Sequence, residues 1–173
     1  MGSLSEAKFM QQYHSALADF DIKAIKVGLV PDGEIAQCVS EIISRHDVPV
    51  IWDPVLASSS GGLGVKQDVQ LVLKSTLSKI TLITPNLPEL AHLTGSNELK
   101  LATQNLFANG LQACLVKGGH ADSCWATDYF DDNQHAFYCY SDKQDKQVRG
   151  TGCVLASSIA CHLALGYDMR DAI

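Results

Sequence analysis

Arg149-Gly150-Thr151-Gly152-Cys153-Val154-Leu155-Ala156-Ser157-Ser158-Ile159-Ala160 carries more structural information than any other stretch of this chain. The two glycines permit a tight turn with bare backbone N–H groups, and the apolar, Ala-rich run after them predicts a helix beginning at that turn. First-turn N–H groups have no acceptor within their own helix, and the helix dipole adds positive potential there. Such a turn is a ready anion site. Cys153 falls in the first helical turn, a position that favours a thiolate. An anion cradle beside a base predicts group transfer of something negatively charged, most simply a phosphoryl group. The competing reading is an ordinary Gly-rich turn followed by a packing cysteine.

Upstream, apolar strands alternate with helices. Ile22-Lys23-Ala24-Ile25-Lys26-Val27 reads as a strand ending at Gly28, and Ile35, Val39, Ile42 and Ile43 have helical spacing. Val48-Pro49-Val50-Ile51-Trp52 is the next strand, closed by Asp53-Pro54-Val55. A Ser/Gly-rich loop from Ala57 to Gly64 precedes a helical segment over Val69 to Leu73. Thr81-Leu82-Ile83 leads into Thr84-Pro85-Asn86, helices follow over Leu87 to Leu93 and Leu99 to Asn109, and Ala113-Cys114-Leu115-Val116 ends at Lys117-Gly118-Gly119. Aromatic alternation from Ser123 to Tyr140 around Asp131-Asp132-Asn133 predicts a β-hairpin, and Ser141 to Gln147 a polar loop. Near-continuous apolar strands separated by helices imply one α/β domain over residues 1–173, with a mostly parallel sheet covered on both faces. All four parallel strands end in small or polar motifs. Their carboxyl ends share one edge, where open α/β sheets bind ligands.

Asn86-Leu87-Pro88-Glu89 matches a capping box with Pro in the first turn, and the same spacing puts Glu89 at the sheet edge, where its carboxylate can hold Mg²⁺ directly or through water. Asp53 either starts a turn before Pro54 or shares a metal–phosphate network with Glu89. Lys117 is either a solvated strand end or a phosphate-neutralising ammonium beside glycines that admit a ligand. Lys26 with Gly28 supports the same argument more weakly, and His120 and Arg149 rank below both.

The net charge of −6 argues against a nucleic-acid partner, because phosphate backbones reward clustered Lys and Arg. Of six cysteines, Cys38, Cys114, Cys124, Cys139, Cys153 and Cys161, none forms a CxxC pair or a zinc-type cluster. No apolar run approaches the ~18 residues of a membrane span. A soluble protein of a reducing, cytoplasmic compartment is expected.

Taken in order, Ala24-Ile25-Lys26-Val27-Gly28-Leu29, Asp53-Pro54-Val55, Thr84-Pro85-Asn86-Leu87-Pro88-Glu89-Leu90, Leu93-Thr94-Gly95, Val116-Lys117-Gly118-Gly119-His120 and Gly150-Thr151-Gly152-Cys153 resemble the ribokinase-like superfamily. Within it they resemble the hydroxymethylpyrimidine/phosphomethylpyrimidine kinase branch of thiamine biosynthesis. The resemblance implies a three-layer αβα sandwich, lacking its first strands here, and ATP-dependent phosphorylation of a pyrimidine hydroxymethyl group or its monophosphate. It implies ATP and Mg²⁺ as cofactors, with Asn86, Lys117, Gly119 and Asp53 on the nucleotide and Glu89 and Asp53 on the metal. Gly150, Thr151 and Gly152 would form the anion hole, Cys153 the base, and Leu29 and Val55 pyrimidine contacts. It implies a homodimer in the full-length family. Arg149 stands where the branch usually has His, and Leu29 where it often has Met. The family's glycine-rich N-terminal segment has no counterpart, so a fragment or a shortened homologue is expected. Pyridoxal kinase activity and a silent nucleotide-binding module are the alternatives, with a thiol enzyme built on Cys153 the weakest.

Overall fold

A computed structural model of the chain describes residues 4–55, 67–118, 125–142 and 150–173. Four short strands, β1 (Ile25–Val27), β2 (Val50–Trp52), β3 (Leu82–Ile83) and β4 (Cys114–Lys117), pair in parallel in chain order. The antiparallel hairpin of β5 (Trp125–Asp131) and β6 (Ala136–Asp142) extends the sheet beyond β4 to six strands. At the hairpin tip Asn133 adopts φ 68°, and the Asp131 and Asp132 carboxylates accept from the backbone N–H groups of Asn133, Gln134 and His135. Asp and Asn bind their own backbone and tolerate the left-handed region, hence their place in this turn.

Parallel strands adjacent in chain order require crossovers of one hand, which puts every intervening helix on one face. That face holds α2 (Gly33–Arg45), α3 (Gln67–Thr76), α4 (Leu87–Thr94) and α5 (Leu99–Ala108). Val50 and Trp52 pack there with Val27, Ile83, Cys114 and Val116 against Ile35, Val39, Leu73, Leu90 and Leu106. The residue between them, Ile51, joins Leu82, Ala113, Leu115 and Phe130 on the opposite face. Both alternating positions of β2 are buried, so the strand reads as unbroken apolar sequence.

The opposite face is covered by α6 (Thr151–Ala164), which lies over β1 and β2, and by α7 (Met169–Ala172). Ala156, Ile159 and Ala160 of α6 and Ala172 of α7 form its buried contacts. Small alanines let the helix approach the sheet closely. Coverage of two faces is therefore as expected but unequal: among the described residues, α2 to α5 pack on one side and α6 and α7 on the other. The N-terminal α1 (Glu6–Asp19) buries none of its residues and rests on α2, with the Tyr13 hydroxyl 2.8 Å from His46 Nε2.

Observed strands are shorter than the apolar runs that announced them. β2 begins at Val50 rather than Val48 because Pro49 has no N–H for the ladder, although its carbonyl accepts from Ile25 N at 2.9 Å. Pairing of β1 likewise begins at Ile25 rather than Ile22. Conversely α3 extends to Thr76, beyond Leu73, where the Thr76 hydroxyl donates to the Val72 carbonyl and meets the Ser40 hydroxyl of α2 at 2.9 Å.

Candidate active site

Each parallel strand stops where its sequence turns polar, and the carboxyl edge gathers those residues. Asp53 follows β2 and is 1% exposed. Its Oδ1 accepts from Lys117 Nζ at 2.8 Å and from the buried Thr84 hydroxyl at 3.4 Å. A buried carboxylate demands such compensation, since taking a lone charge out of water costs several kcal/mol in protein interiors, roughly. Lys117 is held in turn by its backbone N–H, which donates to the Pro85 carbonyl at 2.8 Å, and by an isolated bridge to Asn86. Three strand ends are thereby locked together around one ion pair.

Gly118, directly after Lys117, has no room for a side chain. A Cβ on Gly118 would lie 2.0 Å from the Thr127 carbonyl oxygen, and the Gly118 N–H donates to the Asp128 carboxylate at 2.9 Å. Gly119 and His120 lie outside the described residues, as do Cys124, Arg149 and the expected loop from Ala57 to Gly64.

Asn86 caps α4. Its Oδ1 accepts from the Glu89 N–H at 2.8 Å while Glu89 Oε2 accepts from the Asn86 N–H at 2.8 Å, a complete capping box with Pro in the first turn. The box holds Glu89 in a defined rotamer, 7% exposed, at the start of a helix that begins on the carboxyl edge.

Helix α6 begins as its sequence predicts. Gly150 is the N-cap at φ 84°, in the left-handed region that favours glycine, and no side chain caps the helix. The N–H groups of Thr151, Gly152 and Cys153 belong to the first turn and point out of the helix. The tertiary structure then adds the decisive proximity: a Cβ on Gly152 would stand 3.0 Å from Lys117 Nζ and 3.6 Å from Asp53 Oδ2. Glycine at this position lets the helix N-terminus approach the buried ion pair closely, with the Lys117 ammonium occupying the room a side chain would need. Cys153, one residue on, is exposed.

On the other side of Asp53, a shallow cleft is lined by Gly28, Trp52, Pro54, Val55, Val69 and Leu93. Val55 is part of it, whereas Leu29 projects at the surface, 57% exposed. Expected contacts from distant segments thus meet at Asp53, Lys117 and Gly152. Thr84 and Asp128 carry no charge pattern that singles them out in the sequence, and their roles emerge only from the fold. Among the described residues no group of three or more His, Cys, Asp or Glu side chains assembles into a metal cage. The donor set fits a cation of the Mg²⁺ type only in the manner of a substrate-shared ion, which takes one or two carboxylates and completes its shell with water and phosphate oxygens.

Solved structures of the same architecture are ribokinase-like kinases. The pyridoxal kinase from Staphylococcus aureus in complex with ADP superposes with a TM-score of 0.86 at 27% identity, over 98% of this chain and 64% of that one. The phosphomethylpyrimidine kinase from Clostridium difficile 630 superposes with a TM-score of 0.80 at 27% identity, over 98% and 72%. In sequence, the hydroxymethylpyrimidine/phosphomethylpyrimidine kinase of Streptomyces coelicolor is 33% identical over 169 residues, covering 94% of this chain. The fold and the edge that gathers its polar residues thus define a ribokinase-like α/β kinase domain. Residues 2–173 match the phosphomethylpyrimidine kinase family model, and the chain belongs to that family. It spans 62% of the length of the Streptomyces relative.

Proposed function

We propose that this chain carries the phosphoryl-handling half of an ATP-dependent kinase that acts on 4-amino-5-hydroxymethyl-2-methylpyrimidine, its monophosphate, or both, in thiamine biosynthesis. One observation supports this above the others: Gly152 brings the N-terminus of α6 against the Lys117–Asp53 pair, a Cβ there standing 3.0 Å from Lys117 Nζ and 3.6 Å from Asp53 Oδ2. ATP bound with Mg²⁺ supplies the γ-phosphoryl group. The N–H groups of Thr151 and Gly152, after the turn set by Gly150, donate to the oxygens on which charge develops during transfer. Lys117 adds a positive charge held in place by Asp53 and Thr84. Asn86 and the box-held Glu89 organise the metal and phosphate side, with Asp53 and Gly119 beside them. Cys153 accepts the proton of the acceptor hydroxyl, whose oxygen then bonds to phosphorus as the bond to the ADP oxygen breaks. Val55 and Leu29 meet the pyrimidine. The reading extends to a homodimer working in the cytoplasm, as the family resemblance implies.

The test is ATP-dependent phosphoryl transfer to the pyrimidine alcohol, measured beside ATP·Mg²⁺ binding. Cys153→Ala is expected to lower kcat by about 10²- to 10⁴-fold, the usual contribution of a positioned base, while nucleotide binding persists. Full activity in that variant removes Cys153 from the role. The likeness to a pyridoxal kinase favours pyridoxal as the second acceptor to assay. Turnover of pyridoxal equal to or above that of the pyrimidine overturns the substrate assignment.

A further inference from the structure

Lys26 takes no part in the chemistry described so far, yet its setting is unusual for a lysine. It lies in the middle of β1, half-buried, with Ile25 and Val27 directed to the face that carries four helices. Lys26 pairs in register with Ile51, whose side chain faces α6, and its sheet neighbour Ala24 packs into the same cluster. Lys26 is thus on the face that α6 covers. Its side chain bends along the strand toward the carboxyl edge, where a Cβ on Gly28 would stand 2.8 Å from Nζ. Among the described residues the ion pairs engage Lys23, Arg45, Lys117 and His135, and Lys26 enters none.

Charge bookkeeping gives this its meaning. Lys117 is neutralised by Asp53, so that pair brings no net charge to the edge. Among the described residues, Lys26 is the ammonium at this edge that no carboxylate pairs with, on the same side of the sheet as the N-terminus of α6. A half-buried ammonium is costly unless an anion answers it. Three strand spacings separate β1 from β4, roughly 14 Å at about 4.8 Å each. Lys26 therefore belongs to the Leu29 and Val55 half of the edge, away from Asn86 and β4.

Resting on the kinase reading above, we infer that Lys26 binds the phosphate of a phosphomonoester acceptor and so discriminates the pyrimidine monophosphate from the neutral pyrimidine alcohol. The residue contacts the acceptor rather than ATP. Gly28 is the element that makes room for the ammonium.

The experiment compares the wild-type chain with Lys26→Met, Lys26→Arg and Gly28→Ala. It reads the ratio of kcat/KM for the monophosphate over that for the alcohol, and calorimetric affinity for the monophosphate. Lys26→Met is expected to lower the ratio by about 10- to 100-fold, the range of a charge-assisted hydrogen bond. Gly28→Ala, which needs no left-handed backbone and displaces only the flexible end of Lys26, is expected to lower it in the same direction, and Lys26→Arg to retain most of it. Should Lys26→Met fail to fold, the other two variants carry the measurement. An unchanged ratio, or an equal loss on both acceptors, overturns the inference. So does a wild-type chain that does not bind the monophosphate. Monophosphate binding that depends on Lys26, in a chain that transfers no phosphoryl group to either acceptor, overturns the kinase reading and leaves this assignment standing.

Discussion

Two aspartates sit at opposite ends of the same sheet, and their partners differ in kind. Asp53, at the carboxyl edge, is paired with the Lys117 ammonium, and the next element over them is a glycine. Asp131, at the end where β4 begins, accepts from the Tyr129 hydroxyl at 3.0 Å, the Asn133 N–H at 2.8 Å and the Thr103 hydroxyl at 3.5 Å. The first site balances charge and brings a helix N-terminus close against the pair. The second satisfies a half-buried carboxylate with neutral donors and tyrosine packing, Tyr129 lying 5.0 Å from Tyr138 between ring centroids. An acid met by neutral donors ties the hairpin to α5 and reads as architecture. An acid locked to a cation beside a helix N-terminus is the arrangement on which the proposed phosphoryl-handling role rests.

Breaking the cation side of this contrast carries the largest expected effect. Lys117→Met strands the buried Asp53 carboxylate and is expected to cost about 3–5 kcal/mol in urea unfolding, with Asp53→Asn in the same chain recovering part of the loss. Among the described residues no cation pairs with Asp131, so no single substitution there should approach this. A smaller effect is expected at the turn beside Lys117. Gly118→Ala forces a Cβ against the Thr127 carbonyl, and a loss of about 1–3 kcal/mol, read as a lowered Tm, follows from the overpacking.

The far end is expected to respond least at neutral pH. Tyr129→Phe removes one hydrogen bond to Asp131, about 0.5–1.5 kcal/mol. Its more telling signature is alkaline. Burial, then the hydrogen bond to Asp131, push the Tyr129 phenol up to about 12. An unfolded tyrosine ionises near 10, so this contribution is complete below about pH 10 and is lost as pH rises through about 12. Urea titrations across that window should show a slope that Tyr129→Phe flattens. Burial also raises the Cys114, Cys139 and Cys38 thiols, so a residual slope belongs to those groups.

Much of this was legible before any coordinates. The strand–helix alternation, the hairpin around Asp131-Asp132-Asn133, the Asn86–Glu89 capping box and the helix starting after Gly150 all follow from interactions spanning four residues or fewer. Strand ends were less legible, because apolar letters continue past the point where a neighbour is available to pair, as Val48 and Ile22 illustrate. The helix count on each face was hidden as well. Alternation alone is compatible with helices on either side, whereas strand order in chain order puts α2 to α5 together and leaves the other face to α6 and α7. Thr84 carried no distinguishing letter, and its role exists only because β2 and β3 are neighbours.

The sequence by itself determined the α/β class, the edge on which the polar strand-end motifs gather, the glycine turn that starts α6 with Cys153 behind it, and the motifs of the family. These depend on backbone preferences and periodicity that local residues impose wherever the chain goes. Only the tertiary structure decided that Lys117 neutralises Asp53 across 64 positions, that Gly152 packs close against both, and that no carboxylate among the described residues pairs with Lys26 on the α6 side. The physical reason is range: a hydrogen bond or ion pair acts over about 3 Å, and only the completed sheet brings residues so far apart in sequence within that distance.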